Sequence, residues 1–327
     1  MKKTWIRVAL VNFLIATAIG ALLRFAFIQE ISWLYFKNFL HAHSHVAMLG
    51  WIYMALYALL IHHFLPERQQ RSRAYNWLFW LTQASVVGML TSFPVQGYGP
   101  VSIAFSTAHI ILSYIFAGWF WIDLGKADTF SKKMIRTALI FMVISTFGVW
   151  LMGPIMVTSM KHSAFYYMSV QFYLHFQFNG WFIFAILALF FKQLENNHIQ
   201  LPCIRLNQFF WLLVISCVLT YALAVAWAEP LVSVFVANSV GVIIQLMAII
   251  MFVIIIWQKR HDILMFFNKT EKFLIQIAFY SFVFKVVIQS FVAVPFVAKA
   301  AYTIRNYVIG FIHLILLGAI TFYLLSN

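Results

Sequence analysis

The chain has 327 residues, of which 64% are hydrophobic and only 9% are charged. Soluble domains carry roughly 25% charged residues, so this composition excludes a soluble protein and indicates an integral membrane protein. The net charge of +14 would suggest nucleic-acid binding in a soluble protein. Here the basic residues lie in short connections between apolar segments, so we expect no nucleic-acid partner and take the lipid bilayer as the surroundings.

Ten apolar segments are long enough to cross a bilayer, which takes roughly 20 residues. In chain order they are 5–28, 41–64, 76–95, 102–123, 134–157, 166–192, 207–228, 233–257, 272–296 and 304–326. The segments are continuous rather than alternating, which excludes a β-barrel, and lipid excludes open sheets. The first segment has no A-x-A cleavage pattern, so we expect a retained helix. We predict an all-α, polytopic transmembrane helix bundle that forms one domain over 1–327.

The basic residues alternate between the two sides of the predicted helices. One set of connections holds sixteen of them: Lys2, Lys3, Arg7, Arg68, Arg71, Arg73, Lys126, Lys132, Lys133, Arg136, Lys192, Arg205, Lys259, Arg260, Lys269 and Lys272. The other set holds four: Lys37, Lys161, Lys299 and Arg305. Because lysine and arginine accumulate in cytoplasmic loops, both termini are predicted to be cytoplasmic. The side opposite the cytoplasm is called the outer side below.

Histidines occur in the outer half of four predicted helices that run inward. They are His41, His43 and His45 in the second helix, His109 in the fourth, His175 in the sixth and His313 in the tenth. The spacing predicts that they lie at one level, nearer the outer side. Imidazole is the commonest metal ligand and a frequent haem ligand, so this layer predicts a haem or metal site. Alternatively, each histidine only bonds a neighbouring helix, or the layer lines a substrate path.

Polar residues recur on one side of several predicted helices. The sets are Tyr167, Gln171, His175 and Asn179; Ser102, Ser106, His109 and Ser113; Asn306, Gly310 and His313; and Ser281, Lys285 and Gln289. Residues three and four apart share a helix face. Because ionisable groups in membranes face the protein interior, we expect these faces to converge there.

Three cations complete the pattern. Arg24 and Arg305 lie near outer helix ends, where they either extend to the interface or pair with an anion such as a haem propionate. Lys285 lies deep in the ninth predicted helix, where no carboxylate is evident. A bound anion, a neutral amine or a role in proton transfer would each account for Lys285.

The stretch from His43 to Trp51, HSHVAMLGW, resembles the haem segment in the second helix of nitric oxide reductases. It also resembles the H-x-H-x4-G segment of NnrS-type haem- and copper-binding membrane proteins. Both are related to subunit I of the haem-copper oxidases, which this chain resembles in topology as well. His175 occupies the place where the oxidases carry one copper ligand.

The resemblance implies one b-type haem, with His313 and either His43 or His45 as axial ligands. His43 and His45 point about 200° apart on a helix, so both cannot face one iron, whereas His41 and His45 share a face. The resemblance favours His43. It also makes copper a possible second metal, with His41, His45, His109 and His175 as further ligand candidates. The predicted seventh helix has no histidine, so the copper site is incomplete.

The expected function is therefore electron transfer, or the handling of a diatomic gas such as O2 or NO, in a bacterial cytoplasmic membrane. Respiratory-chain subunits or an electron donor would be partners. No CxxCH motif is present, so the haem would be non-covalent. Two other functions are open: a transporter with a histidine-lined path, and a structural respiratory subunit.

Overall fold

The structure is a computed structural model that describes residues 3–228 and 230–327, without the side chains of Trp227, Tyr302 and Arg305. Within these residues, ten helices are long and apolar enough to cross a membrane. They are α1 Lys3–Phe25, α2 Phe36–Phe64, α3 Arg73–Gln96, α4 Pro100–Asp123, α5 Phe130–Val157, α6 Ala164–Asn196, α7 Cys203–Ala226, α8 Val232–Gln258, α9 Lys269–Ala293 and α10 Asn306–Leu325. The predicted all-α, polytopic class and the number of helices are confirmed.

Some helix ends differ from the prediction. α2 begins at Phe36 rather than 41, because Lys37 and Asn38 interrupt the apolar pattern without interrupting the helix. α9 begins earlier than predicted, at Lys269, where Asn268 and Glu271 form a reciprocal capping box. It ends at Ala293, and Pro295 then opens a short helix, Pro295–Thr303, that the hydropathy pattern does not separate.

The chain divides into two compact units, one ending at Ala127 and one spanning Asp128–Asn327. In the first unit, α1 and α3 both pack against α2, and α3 also packs against α4. Every residue of α2 from Met48 to Ile61 is buried. A membrane helix that is buried on all sides is surrounded by protein rather than lipid.

The second unit contains α5 to α10. α5 packs along α6, α7 packs along α8, and α9 packs along α10. Every residue of α6 from Gly180 to Phe191 is buried, so α6 is enclosed in the way that α2 is. α7 is interrupted at Thr220 and Tyr221, where the Tyr221 N–H donates to the Val218 carbonyl instead of continuing the α-helical pattern.

Within the part of the chain that the structure describes, three of the helices contain a π-helical segment. The segments are Val46–Tyr53 in α2, Phe176–Phe182 in α6 and Leu314–Thr321 in α10. Each begins directly after a histidine: His45, His175 or His313. π-Helical turns are rare and concentrate at functional sites, so these three places mark the regions where a functional site is best sought.

Candidate functional site

His43 lies on the side of α2 that faces α1. Its Nδ1 is 2.8 Å from the Ala16 carbonyl oxygen, and a carbonyl can only accept, so Nδ1 carries the proton. Gly20, one turn further along α1, leaves room for the ring, since a Cβ at Gly20 would lie 2.9 Å from His43 Cε1. The α1 backbone therefore fixes both the position and the tautomer of His43.

His45 and His41 lie on another side of α2, among aromatic rings. The His45 ring centroid is 4.4 Å from that of Phe93, and the His41 centroid is 4.6 Å from that of Tyr98. His45 Nδ1 donates to the His41 carbonyl oxygen at 2.8 Å. His41 Nε2 is buried and has no hydrogen-bond partner. Both imidazoles thus lie among aromatic rings, where α3 ends and the connection to α4 begins.

His109 is the most deeply buried histidine of the predicted layer, with 2% of its surface exposed. Its Nδ1 lies 3.2 Å from Ser85 Oγ, and the Ser85 hydroxyl donates to the Thr82 carbonyl at 2.6 Å. Ser85 Oγ therefore accepts from His109 Nδ1, which leaves Nε2 unprotonated, buried and without a partner. The His109 centroid lies 4.9 Å from Tyr53, which follows His45 by eight residues on α2. His109 thus lies deeper in the unit than the α2 histidines, whereas the sequence predicts one common level.

His313 lies on an exposed face of α10. The exposed positions Asn306, Gly310, His313 and Leu317 follow one another at helical spacing. The interior position predicted for this face is therefore wrong for α10, although it is right for His109 and Lys285. His313 Nδ1 donates to the Ile309 carbonyl at 2.7 Å, and Gly310 has open space where a Cβ would point.

His43, His45 and His313 thus share one feature of ring chemistry. In all three, Nδ1–H donates to a backbone carbonyl, so the lone pair belongs to Nε2. A hydrogen bond from the second ring nitrogen is the usual support of a histidine that binds a metal or haem iron. In all three imidazoles, Nε2 is therefore the nitrogen whose lone pair is directed away from the bonded carbonyl.

His175 is arranged differently. Its Nε2 donates to the Cys217 carbonyl oxygen at 2.8 Å, just before the interruption of α7. Its Nδ1 lies 3.5 Å from Asn179 Nδ2, and Asn179 Oδ1 accepts from Lys285 Nζ at 2.8 Å. Both ring nitrogens of His175 are engaged by protein groups, so this arrangement does not prepare the ring to bind copper.

Arg24 and Arg305 are the two cations of the predicted anion site. Arg24 is exposed at the end of α1, with its guanidinium carbon 5.9 Å from the Phe27 ring centroid. The Arg305 side chain lies outside the described residues. The predicted contact of these residues with haem propionates stays a prediction.

A glycine pattern in the sequence marks three of these histidines independently of their depth. Each histidine that precedes a π-helical segment is followed five residues later by a glycine: Gly50, Gly180 or Gly318. A π-helix joins residues five apart, so H-x4-G spans one such turn. A Cβ at these glycines would lie 2.6 to 2.9 Å from Val86, Phe141 or Ser281 of a neighbouring helix. At each of the three H-x4-G sites, a wide helical turn therefore coincides with a close contact between two helices.

These features define the protein as a multi-pass α-helical membrane protein with partly buried histidines whose tautomers are fixed by backbone carbonyls. Among residues 3–228 and 230–327, no three side chains of histidine, cysteine, aspartate or glutamate form a group that could hold a metal. A scan against models of known protein families finds no match, and a search of curated proteins finds none.

Proposed function

We propose that this chain is a haem-binding membrane protein that transfers electrons or handles a diatomic gas. The observation that carries the proposal is the shared hydrogen bond of His43, His45 and His313, in which Nδ1–H donates to a backbone carbonyl. In each of the three rings this bond leaves Nε2 as the nitrogen that can bind a metal ion or haem iron.

His43 or His45 supplies one axial ligand in this proposal, and the sequence resemblance assigns the other to His313. The exposed face of α10 supports that assignment, because an imidazole and an asparagine side chain facing lipid would be costly. Gly310 lies one turn from His313 with open space above it, which suits the flat edge of a porphyrin. When bound, a haem b with two imidazole ligands supplies one-electron chemistry.

Copper is a weaker part of the proposal. His41 and His109 each have a buried Nε2 without a hydrogen-bond partner, and a metal ion would satisfy such a nitrogen. An electron donor or respiratory subunit is the expected partner, in a bacterial cytoplasmic membrane.

The visible absorption spectrum of the purified protein tests the proposal. Protein made with ample haem should show a Soret band, and reduction by dithionite should sharpen the bands typical of a six-coordinate b-type haem. If haem-replete cells yield folded protein without a Soret band, the haem proposal is wrong, and the transporter or structural alternative replaces it.

The predicted orientation has its own test. A reporter fused after Asn327 should show a cytoplasmic signal, because sixteen basic residues lie in one set of connections and four in the other. A fusion in the connection between α5 and α6, at Lys161, serves as the control and should report the outer side. An outer-side signal at Asn327 with a cytoplasmic signal at Lys161 would show that the predicted orientation is wrong.

Gly20→Ala should displace the His43 ring without changing any residue of α2. The new methyl group would lie 2.9 Å from His43 Cε1, so the ring must turn and its bond to Ala16 must weaken. If His43 binds the iron, haem retention should fall about 10–100-fold, as on loss of a supporting contact. Gly118→Ala is the matched control, since nothing lies near its Cβ position. Equal haem content in both variants would favour His45 as the ligand.

A further inference from the structure

A groove on the surface of the first unit lies between α1 and α3. Both helices pack against α2, and two side-chain contacts join them to each other. The rings of Trp5 and Phe79 stack with their centroids 4.9 Å apart, and Asn12 Nδ2 donates to Gln83 Oε1 at 2.8 Å. The groove runs along these contacts and has a volume of about 280 Å³. It is lined by Thr4, Arg7, Val8, Val11, Asn12, Trp80 and Gln83.

The groove is open at the protein surface. Val11 is 56% exposed on one wall, and Trp80 is 40% exposed on the other. Thr4 and Arg7 are exposed as well, whereas Asn12 is buried at the bottom. Because α1 and α3 are both long and apolar enough to cross a membrane, this opening faces lipid over most of its length. A ligand of the groove would therefore enter from the bilayer.

One end of the groove is basic. Phe79 and Gln83 follow each other on α3 in the same order as their partners on α1, so the two helices are parallel and begin at the same end of the unit. Their first residues, Lys3 and Arg73, are both exposed at that end. Arg7 lies about one turn beyond Lys3 and lines the groove itself. Three cations thus mark this end.

The charge of Arg7 is not balanced by a carboxylate. Neither α1 nor α3 contains aspartate or glutamate. The described carboxylates of the first unit are Glu30, in the connection beyond the other end of α1, Glu67, which pairs with Arg71, and Asp123, which accepts from a tyrosine hydroxyl at 2.7 Å. Within the part of the chain that the structure describes, the Arg7 guanidinium forms no ion pair and no hydrogen bond. The groove therefore complements an anion.

Hydrogen-bond donors are available mainly at the basic end. At the far end, the amides of Asn12 and Gln83 bind each other, since Gln83 Nε2 also donates to Asn12 Oδ1 at 3.1 Å. The Asn12 amide group donates to the Gly50 carbonyl of α2 as well, at 2.9 Å. Two valines and Trp80 form the walls between the ends. The Arg7 guanidinium has five donors, so an anionic group would bind there and an apolar group would lie along the walls.

A phospholipid has this combination of groups. The groove is smaller than the roughly 300–1,000 Å³ of enclosed small-molecule sites, so it suits a ligand whose remainder stays in the bilayer. Guanidinium groups bind phosphate in a bidentate manner, and basic pockets between membrane helices bind anionic headgroups. A free phosphate would leave the apolar walls unfilled, and a neutral chain would leave the charge of Arg7 unpaired.

We propose that the groove between α1 and α3 binds one anionic phospholipid, with its headgroup phosphate at Arg7 and one acyl chain against Val8, Val11 and Trp80. In the predicted orientation the headgroup lies in the cytoplasmic leaflet, whose surface is negatively charged. The lipid would fill the space between two helices that otherwise meet only through α2 and two side-chain contacts. The site needs no haem, so it can hold or fail separately from the proposed function.

Native mass spectrometry of the purified, delipidated protein tests the site. Phosphatidylglycerol should bind as one tight adduct, and phosphatidylcholine with the same acyl chains should bind more weakly. Arg7→Gln should weaken the binding of phosphatidylglycerol about fivefold, which is the contribution of one basic residue beside an anionic lipid surface. Arg68→Gln is the matched control, since Arg68 is exposed at the same end of the unit but does not line the groove. It should leave the affinity unchanged.

A second variant changes the shape of the groove and not its charge. Val11→Trp places a large side chain on the exposed wall, where it competes with the acyl chain for space. Leu14→Trp is its control, because Leu14 is exposed on the same helix outside the groove. Only Val11→Trp should lower the affinity for phosphatidylglycerol. Arg7 and Val11 are both exposed, so we expect both variants to fold, and size-exclusion chromatography checks this.

Four results would overturn the proposal. Equal binding by Arg7→Gln and Arg68→Gln would show that Arg7 only extends to the membrane surface. Phosphatidylcholine bound as tightly as phosphatidylglycerol would remove the role of charge. An unchanged affinity in Val11→Trp would place the lipid elsewhere on the protein. Displacement of the lipid by excess inorganic phosphate would assign the groove to a free anion instead.

Discussion

Replacing His313 by alanine should abolish the sharp reduced spectrum of the low-spin haem while the protein still inserts into the membrane. The residue is exposed, and its ring donates to the Ile309 carbonyl of its own helix, so we expect the fold to tolerate the change. An axial ligand, in contrast, holds the iron directly. Its removal should lower the affinity for haem by at least roughly 10–100-fold, because loss of a supporting contact alone has an effect of that size. Reduced-minus-oxidised spectra, normalised to folded protein by size-exclusion chromatography, measure the effect.

His109→Ala is the control, and it should leave that spectrum nearly intact because His109 lies beside Tyr53, deeper than the α2 histidines. Added imidazole should restore the sharp bands in the His313→Ala protein, since the exposed site admits a free ligand. A normal spectrum in His313→Ala would remove His313 from the iron. Loss of the spectrum in His109→Ala instead would move the second ligand to α4.

The helices of this fold follow from the sequence because lipid leaves few choices. A continuous apolar segment of sufficient length must form a helix to satisfy its backbone, so all ten helices were predictable. The helix ends were less predictable. Lys37 and Asn38 lie within α2, because helices extend past the apolar region wherever polar side chains reach the interface. Pro295 separates a short helix from α9, which the hydropathy pattern does not show.

The candidate site was predictable only in part. Helical spacing shows that Asn306, Gly310 and His313 share a face, but not whether that face meets protein, cofactor or lipid. The hydrogen bond between His43 and Ala16 joins residues 27 apart, which no local pattern indicates. The interruption of α7 at Thr220 carries no proline or glycine that would signal it. The repeated H-x4-G pattern, in contrast, is visible in the sequence and coincides with the three π-helical segments.

Two glycines of α5 give the second large effect that we expect. A Cβ at Gly148 would overlap the Ser169 carbonyl oxygen and lie 2.9 Å from the Tyr173 backbone nitrogen, so α5 and α6 meet there through their main chains. Backbone atoms cannot turn aside as a side chain can. Gly148→Ala should therefore force the two helices apart and lower the free energy of unfolding by about 1–3 kcal/mol or more.

Gly153→Ala, five residues further along the same helix, should have the opposite effect. Nothing lies within 4 Å of its Cβ position, so the methyl group meets no protein atom. Alanine also restricts the unfolded chain and favours the helix, which should stabilise the protein by about 0.5–1 kcal/mol. Thermal unfolding in detergent, followed by tryptophan fluorescence, should place the two variants on opposite sides of the native protein. Similar midpoints for both would show that α5 and α6 are not in main-chain contact at Gly148.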